Sequence, residues 1–369
     1  MNPSQPAHRP SSEIAPPARR GRVVWVAVGF ALVLLAAIWL SLGVGRSEEL
    51  HAGMALRGAW AWLGLGEPLS GAQQWIVELR WTRTLVTALV GAGLAFSGAL
   101  LQGVFRNDLA APSILGTTAG ASLGASIAIL AVGGYGAKSL ASLAPAPALV
   151  MVSAFLGAAL VTWLVAMLGR SGGRYSVPTL LLVGIAINAV VGGILAAMQS
   201  FAMSDFEVAK ALYAWGFGNL DDKGASEIWL LCLALGLGAM AIPFVARELD
   251  LLAVGEEDAL ALGVDTGRVK ALALLVATLC AAASVAAVGQ IAFVGLVVPH
   301  VVRLLSGRSY RVLLPMCLLA GAAFLLSVDA GQRWWLGDMR MRPGVTLSLV
   351  GGPFFLTLLV LHRRRMSSW

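Results

Sequence analysis

Few side chains in this sequence could carry out catalysis, and those few are not grouped. Of the four histidines, only His300 lies within an apolar run, beside Pro299, where a single histidine is more often a hydrogen-bonded structural residue than a catalyst. The three cysteines, Cys232, Cys280 and Cys317, lie in apolar runs without metal-ligand spacing. A nucleotide-binding P-loop needs a Gly-Lys pair, and the sequence contains none. The residue types therefore predict no enzyme activity and no cofactor in this chain.

Ionisable side chains within the apolar runs are equally rare. Asp329 is the one acidic candidate, with Arg333 four residues on as its expected partner. Gln102, Asn188 and Gln290 are polar but neutral. Because ion-coupled transporters usually hold carboxylates or cations within the membrane, this pattern argues against proton or sodium coupling. Energy for transport would then come from another polypeptide.

Arg80 and Arg83 form a cationic pair just before an apolar run. Their spacing of three residues places both on one face of a helix. They could be anchors whose charged ends reach the lipid headgroups. They could instead form a contact for an acidic partner or substrate outside the membrane. The residues alone leave both interpretations open.

An acidic stretch interrupts the apolar pattern in the second half of the chain. Its candidate contact residues are Glu256, Glu257, Asp258, Leu262 and Gly263. The pattern predicts a short amphipathic helix over Asp250–Gly263 that ends at the glycine and lies on the cytoplasmic surface. An ordinary interfacial loop is the alternative. Since helices that lie on anionic lipid are usually basic, an acidic helix fits a protein partner better.

Composition places the whole chain in a membrane. Hydrophobic residues make up 58% of the 369 residues, charged residues 12%, and the mean hydropathy is +0.82. Apolar runs of the length that crosses a bilayer, about 20 helical residues, recur along the chain, whereas a β-barrel would show short alternating segments. The net charge of +7 is scattered at the ends of these runs, which argues against nucleic acid as a partner. The expected fold class is all-α, a polytopic membrane protein with about ten transmembrane helices.

The predicted topology follows from the apolar runs and the basic residues between them. Ten runs are predicted as spans: Val23–Val44, Thr84–Phe105, Ser113–Gly133, Ala148–Leu168, Val177–Phe201, Ile228–Ala246, Ala271–Val288, Gln290–Val302, Val312–Val328 and Val345–Leu361. Residues 1–22, rich in Pro, Ser and Arg, are predicted to be a disordered cytoplasmic tail, and residues 23–369 the transmembrane domain. An even number of spans puts both termini on one side. The larger share of the 26 Lys and Arg residues lies inside if that side is cytoplasmic.

One span is predicted to be short. Too few residues separate Lys270 from Arg303 for two spans of about 20 residues each and a turn. Gly289 is the natural break, which leaves Gln290–Arg303 as a shortened helix of the kind that borders transport pathways. A single long kinked helix is the alternative, and it would spoil the even number of spans.

Six segments resemble the FecCD family of ABC importer permeases. They are RWTRTLVTALVGAGLAFSGALLQGVFRNDLAAPSILGTTAGASLGA (Arg80–Ala125), LLLVGIAINAVVGGI (Leu180–Ile194), WGFGNL (Trp215–Leu220), GEEDALALGVDTGRVK (Gly255–Lys270), GQIAFVGLVVPHVVRLLSGRSYRVLLP (Gly289–Pro315) and GVTLSLVGGPFFLTLL (Gly344–Leu359). The resemblance covers nearly all of the chain after residue 75. Two departures stand out: RWTR replaces the usual RLPR, and MRMRPGV places Arg340 and Arg342 where the family usually has an acidic residue.

The resemblance implies an architecture and a set of partners. It implies a type II ABC importer permease bundle in the bacterial inner membrane that forms a homodimer. Two cytoplasmic ATPase subunits would bind ATP and Mg, and a periplasmic substrate-binding protein would deliver the substrate. The segment 250–267 would dock into the ATPase, and Arg80, Arg83 and Arg333 would receive acidic residues of the binding protein. Gln102, Asn188 and Gln290 would line the translocation path.

The resemblance also implies the activity. The leading hypothesis is ATP-driven uptake of an Fe(III)-siderophore by alternating access. Haem or cobalamin is the alternative substrate within the same family. An ion-coupled secondary transporter or a channel is the rival of a different class, and an ATPase that co-purifies with the chain would exclude it.

Overall fold

The computed structural model describes residues 20–44, 71–133, 146–171, 174–337 and 341–366, with residues 53, 57 and 58 in addition. The predicted tail, residues 1–22, lies outside this part of the chain except for its last three residues. Those residues begin the first helix, which starts at Arg20, three residues before the predicted span.

Helices dominate the described chain, as predicted. They are α1 (Arg20–Gly43), α2 (Gly71–Phe105), α3 (Thr117–Val132), α4 (Ala146–Leu168), α5 (Val177–Ala202), α6 (Phe206–Gly216), α7 (Ala225–Val254), α8 (Glu256–Ala261), α9 (Thr266–Val288), α10 (Val294–Ser306), α11 (Tyr310–Leu336) and α12 (Pro343–Met366). A 3₁₀ turn, Pro112–Leu115, precedes α3. Two antiparallel two-residue strands, β1 (Arg170–Ser171) and β2 (Arg174–Tyr175), join α4 to α5.

Seven of the described helices are long and apolar enough to cross a membrane: α1, α2, α4, α5, α7, α9 and α11. Three shorter apolar helices are α3, α10 and the first part of α12, Pro343–Thr357. Each of the ten predicted apolar runs falls on one of these ten helices. The all-α, multi-pass fold class is therefore confirmed.

Helix α2 lies at the centre of the bundle. In its most apolar window 83% of the residues are buried, against 6% in α1, which packs at the edge. Two glycine contacts bring α2 close to its neighbours. A Cβ on Gly91 would collide with the carbonyl of Gly321 in α11, and a Cβ on Gly98 would collide with the carbonyl of Gly295 in α10. Small residues allow this close approach of helix backbones in a membrane.

The predicted break at Gly289 is present. Helix α9 ends at Val288, and Gly289 has a φ of +80°. The amide of Asn219 donates to the Val288 carbonyl at 2.6 Å, so the loop after α6 takes an acceptor that a continuous helix would use. The short helix α10 begins at Val294, four residues later than predicted.

The acidic segment differs from its prediction. The sequence predicts one helix over Asp250–Gly263, whereas α7 continues through Asp250 to Val254 and α8 is a separate helix after Gly255. Within α7 the Asp250 carboxylate accepts from the Ser309 hydroxyl at 2.8 Å and the Tyr310 amide at 2.6 Å at the start of α11. The predicted end at Gly263 is correct, with a φ of +82°.

Candidate functional site

The predicted site residues fall at two ends of the bundle. The arginine end is the region around Arg80, Arg83 and Arg333. The acidic-helix end is the region around α8. The three predicted path residues belong to neither group.

Asp329 is the buried centre of the arginine end. Its carboxylate has no exposed surface, and it lies within α11. Arg83 of α2 donates to it from Nη2 at 2.7 Å and from Nε at 3.1 Å. Arg333, one helical turn along α11, donates to the same carboxylate from Nε at 3.0 Å. The predicted Asp329–Arg333 pair is confirmed, and the structure adds Arg83 as a second partner.

The arginines of this end also hold the last turn of α1. Arg80 is buried and donates to the Leu42 carbonyl at 2.7 Å. Arg333 Nη1 donates to the carbonyls of Ser41 at 3.2 Å and Val44 at 2.9 Å. The last carbonyls of a helix lack partners within the helix and carry partial negative charge, so guanidinium groups are suitable donors to them. The three arginines therefore join α1, α2 and α11.

A second acidic side chain reaches this end from the loop between α6 and α7. Asp221 forms an ion pair with Nη1 of Arg83, and 52% of its side chain is exposed. The same loop carries Lys223, whose pKa burial lowers from the ordinary value for lysine. Arg83 and Arg333 each keep 19% of their side-chain surface exposed. Three arginines thus face two aspartates, and part of the positive charge reaches the surface.

This geometry changes the two interpretations of Arg80 and Arg83. Neither side chain extends freely, as a lipid anchor would, because both donate to groups inside the protein. Any contact with an acidic partner must use the exposed part of Arg83 or Arg333 while the internal bonds hold them in place. Arg340, from the basic segment before α12, lies outside the described residues.

The predicted path residues are each engaged in helix contacts. Gln102 is 1% exposed, and its Nε2 donates to the Gly295 carbonyl at 3.4 Å, whereas its Oε1 is buried without a hydrogen bond. Asn188 of α5 donates to the Ser113 carbonyl at 3.0 Å. Gln290 donates to the Ser122 hydroxyl of α3. The three amides bind three different elements, and their path-lining role stays a prediction.

At the acidic-helix end, Glu256 pairs with a lysine that the sequence analysis placed only as a flanking cation. Lys270 is 2% exposed in α9, and its Nζ lies 2.5 Å from Oε1 of Glu256. The hydroxyl of Thr266 also donates to that oxygen at 3.4 Å. An open cleft of about 540 Å³ lies beside the pair, lined in part by Phe105 and Tyr175. The Glu256–Lys270 pair therefore ties α8 to the second turn of α9.

The rest of α8 faces outward. Glu257 and Asp258 in α8 and Leu262, the residue just after it, are exposed, Leu262 with 68% of its surface, whereas Ala259 is completely buried. Ala259 packs against the bundle, so the opposite side of the segment is left accessible. That side presents the two carboxylates and Leu262. We call this surface, Glu257, Asp258 and Leu262, the α8 face.

A further ion pair was not predicted. Arg303, in the last turn of α10, is buried and lies 3.4 Å from Asp108 in the loop after α2. Both residues were visible in the sequence only as charges at the ends of apolar runs. Among the described residues, no group of three or more His, Cys, Asp or Glu side chains could hold a metal ion.

Comparisons with known proteins place this chain in a family. The model of the FecCD transport family matches residues 23–361. The cobalamin import system permease protein BtuC of Halobacterium salinarum is 36% identical over 341 residues, covering 89% of this chain and 87% of the relative. The hemin transport system permease protein HmuU of Yersinia pestis is 34% identical over 345 residues, covering 92% and 97%. The iron(3+)-hydroxamate import system permease protein FhuB of Bacillus subtilis is 34% identical, covering 93% and 85%.

A solved structure agrees with these relatives. It is an inward-facing conformation of an ABC transporter assigned to the metal-chelate type, with a TM-score of 0.76 and 27% identity over 91% of this chain and 99% of that chain. The family model covers the described bundle from its first helix to its last. This chain therefore belongs to the FecCD transport family and is a permease of an ABC transporter.

Proposed function

We propose that this permease imports a metal chelate, an Fe(III)-siderophore in the first instance, across the bacterial inner membrane by alternating access. Haem and cobalamin are the alternatives, because relatives of similar identity are named for hemin, cobalamin and iron hydroxamate. The observation that carries the proposal is the α8 face. It presents carboxylates and an apolar side chain from a short helix joined directly to two membrane-spanning helices.

The α8 face is the proposed contact with an ATPase subunit. The sequence lacks a P-loop, so ATP and Mg would be bound by that partner. Motion of the ATPase would reach the bundle through Gly255 to α7 and through the Glu256–Lys270 pair to α9. Both helices pack against the central helix α2.

The arginine end is the proposed contact with a periplasmic substrate-binding protein. Internal bonds hold Arg83 and Arg333 in defined positions, which lowers the entropy that docking would cost. Their exposed surface carries positive charge suited to acidic side chains. The α8 face, at the other end of the bundle, would then lie on the cytoplasmic side.

A second copy of this chain is the proposed partner within the membrane. Only 17% of the most apolar window of α5 is buried, and Leu182, Ile185 and Val190 are each more than 60% exposed. Helix α5 also carries Asn188, one of the predicted path residues. A dimer in which the α5 helices face each other would enclose a path that a single bundle leaves open.

Transport in proteoliposomes tests the function. The chain is co-expressed with the ATPase and binding-protein genes beside its own gene, and uptake of ⁵⁵Fe-siderophore is measured with ATP inside the vesicles. Haem and cobalamin are tested in parallel as substrates. Uptake that requires ATP supports the proposal. Uptake driven by a proton or sodium gradient, without any associated ATPase, would refute it.

A further inference from the structure

Arg83 divides its donors between two different carboxylates. Its Nη2 and Nε bind Asp329, and its Nη1 binds Asp221. The first two bonds are parallel, in the bidentate arrangement that a guanidinium and a carboxylate favour. Arg83 is therefore fixed by Asp329 and holds Asp221 by one remaining nitrogen.

The two carboxylates differ in how easily they can leave. Asp329 has no exposed surface, lies within α11 and also binds Arg333. Asp221 lies on the loop between α6 and α7, and 52% of its side chain is exposed. Removing Asp329 from its arginines would leave a buried charge unpaired, whereas Asp221 can exchange its partner for water at small cost. Of the two carboxylates, only Asp221 can therefore give up its place at Arg83 to another acidic group.

We propose that Asp221 occupies the place at Arg83 that an acidic side chain of the docking protein takes, so that the loop and the partner compete for one guanidinium. The inference rests on the docking role proposed above and adds a regulatory element to it. When the partner binds, Asp221 is released into solvent and the loop between α6 and α7 loses its tie to α2. The amide of Asn219, in the same loop, donates to the Val288 carbonyl at the end of α9. Docking would therefore be transmitted to Gly289, the break between α9 and α10.

The chain offers a matched control one residue away. Asp222 is exposed and carries the same charge, whereas the ion pairs of Arg83 are with Asp221 and Asp329. Asp222 has a φ of +54°, a conformation that asparagine adopts as readily as aspartate. Asp221→Asn and Asp222→Asn therefore remove the same charge from the same loop, but only the first frees Nη1 of Arg83 from its carboxylate.

Binding measurements on the full-length permease in nanodiscs test the competition. The probe is the purified substrate-binding protein encoded beside the permease gene, and the dissociation constant is measured at low and high salt. We expect Asp221→Asn to tighten binding about two- to fivefold at low salt, the size of one partly exposed ion pair. Asp222→Asn should change it less than twofold. The gain from Asp221→Asn should shrink at high salt and vanish when Arg83→Gln is added.

Each other outcome counts against the inference. Equal gains from the two asparagine variants would mean that only long-range charge matters, and no gain or weaker binding for Asp221→Asn would show that Asp221 does not compete. Elution volume and thermal stability confirm that each variant is folded. If the probe does not bind the wild-type permease at all, the docking role fails, and the competition fails with it. Binding to wild type without the Asp221 effect refutes the competition alone.

Discussion

At the scale of single residues, buried charges determine the polar contacts at both ends of the bundle. Asp329 is shared by Arg83 and Arg333, and Glu256 neutralises the buried Lys270. Transferring an unpaired charge out of water costs several kcal/mol, so each buried charge depends on its partner. These pairs need not add much net stability, but removing one member strongly destabilises the fold because it leaves the other charge buried and unpaired.

Asp329→Asn should destabilise the permease by about 3–5 kcal/mol, because it leaves two guanidinium groups near a neutral amide. Unfolding in mild detergent can be followed by the reaction of a fluorogenic thiol dye with Cys280 and Cys317, which are buried in the folded chain. The exposed Cys232 is first replaced by serine. Asp221→Asn is the comparison and should cost less than about 1 kcal/mol. Equal losses for the two variants would contradict the central role of Asp329.

Glu256→Gln should destabilise the chain by about 2 kcal/mol, because it leaves the Lys270 ammonium buried without its counter-charge. Lys270→Met removes the charge and keeps the volume, so its cost should be smaller. The double variant should be more stable than Glu256→Gln alone, which the same dye assay measures. Additive losses from the two substitutions would show that the residues are not coupled.

At the scale of elements, the contacts of α2 and α8 matter most. Helix α2 packs closely on α10 and α11 through glycines, and α8 is attached to the bundle by Ala259 and Glu256. The sequence pattern predicted both helices but misplaced their starts, since α2 begins at Gly71 and α8 at Glu256. Asp250 belongs to α7 and accepts from the Tyr310 amide, 60 residues away, a contact that no local pattern reveals.

Gly98→Ala should destabilise the bundle by about 1–3 kcal/mol, since the added methyl group would overlap the Gly295 carbonyl and push α2 from α10. Gly236→Ala in α7 is the control, because a Cβ there meets open space. Alanine is the better helix former, so Gly236→Ala should be neutral or slightly stabilising. A loss at Gly236 as large as that at Gly98 would show that helix contact is not the cause.

Reversing the charge of the α8 face by Glu257→Lys with Asp258→Lys should abolish substrate-stimulated ATP hydrolysis without unfolding the bundle. Both side chains are exposed, so their replacement leaves the packing of Ala259 unchanged. Hydrolysis is measured in proteoliposomes with the ATPase and the binding protein present. Glu207→Lys, at an exposed position of α6, is the control and should keep normal stimulation. Normal stimulation in the double variant would rule out the α8 face as the coupling contact.

At the scale of the whole molecule, one chain forms a packed bundle with an unpartnered side. In the most apolar stretches of α2 and α9, 83% and 72% of the residues are buried. In that of α5 only 17% are buried, although α5 carries the polar Asn188. An apolar helix at the edge can face lipid, as α1 does. The amide nitrogen of Asn188 already donates to the Ser113 carbonyl, but an amide oxygen facing lipid is costly, which favours a protein partner along α5.

Cysteine cross-linking tests the dimer in the membrane. With the native cysteines replaced, Ile185→Cys on α5 should form a disulfide-linked dimer on oxidation, visible on a non-reducing gel. Val28→Cys on α1 is the control, because it is also exposed but lies on the helix that packs at the edge. A dimer band for Val28→Cys and none for Ile185→Cys would place the interface elsewhere.

The amino-acid sequence by itself was sufficient for the features that depend on local pattern. Apolar run length predicted the multi-pass helical class and located ten apolar helices, and the glycines at 263 and 289 marked real helix ends. The spacing of Asp329 and Arg333 predicted their ion pair, since residues four apart are neighbours on any helix.

Contacts between distant segments required the folded chain. Arg83 and Asp329 are 246 positions apart, and Arg80 and Leu42 are 38 apart. Periodicity shows which residues share a helix face, but it does not show which helix that face meets. Arg83 therefore looked like a free surface charge in the sequence, and Lys270 looked like the end of a span. The tertiary packing, which brings α2 against α11 and α8 against α9, pairs both residues with carboxylates, burying Lys270 and leaving Arg83 partly exposed.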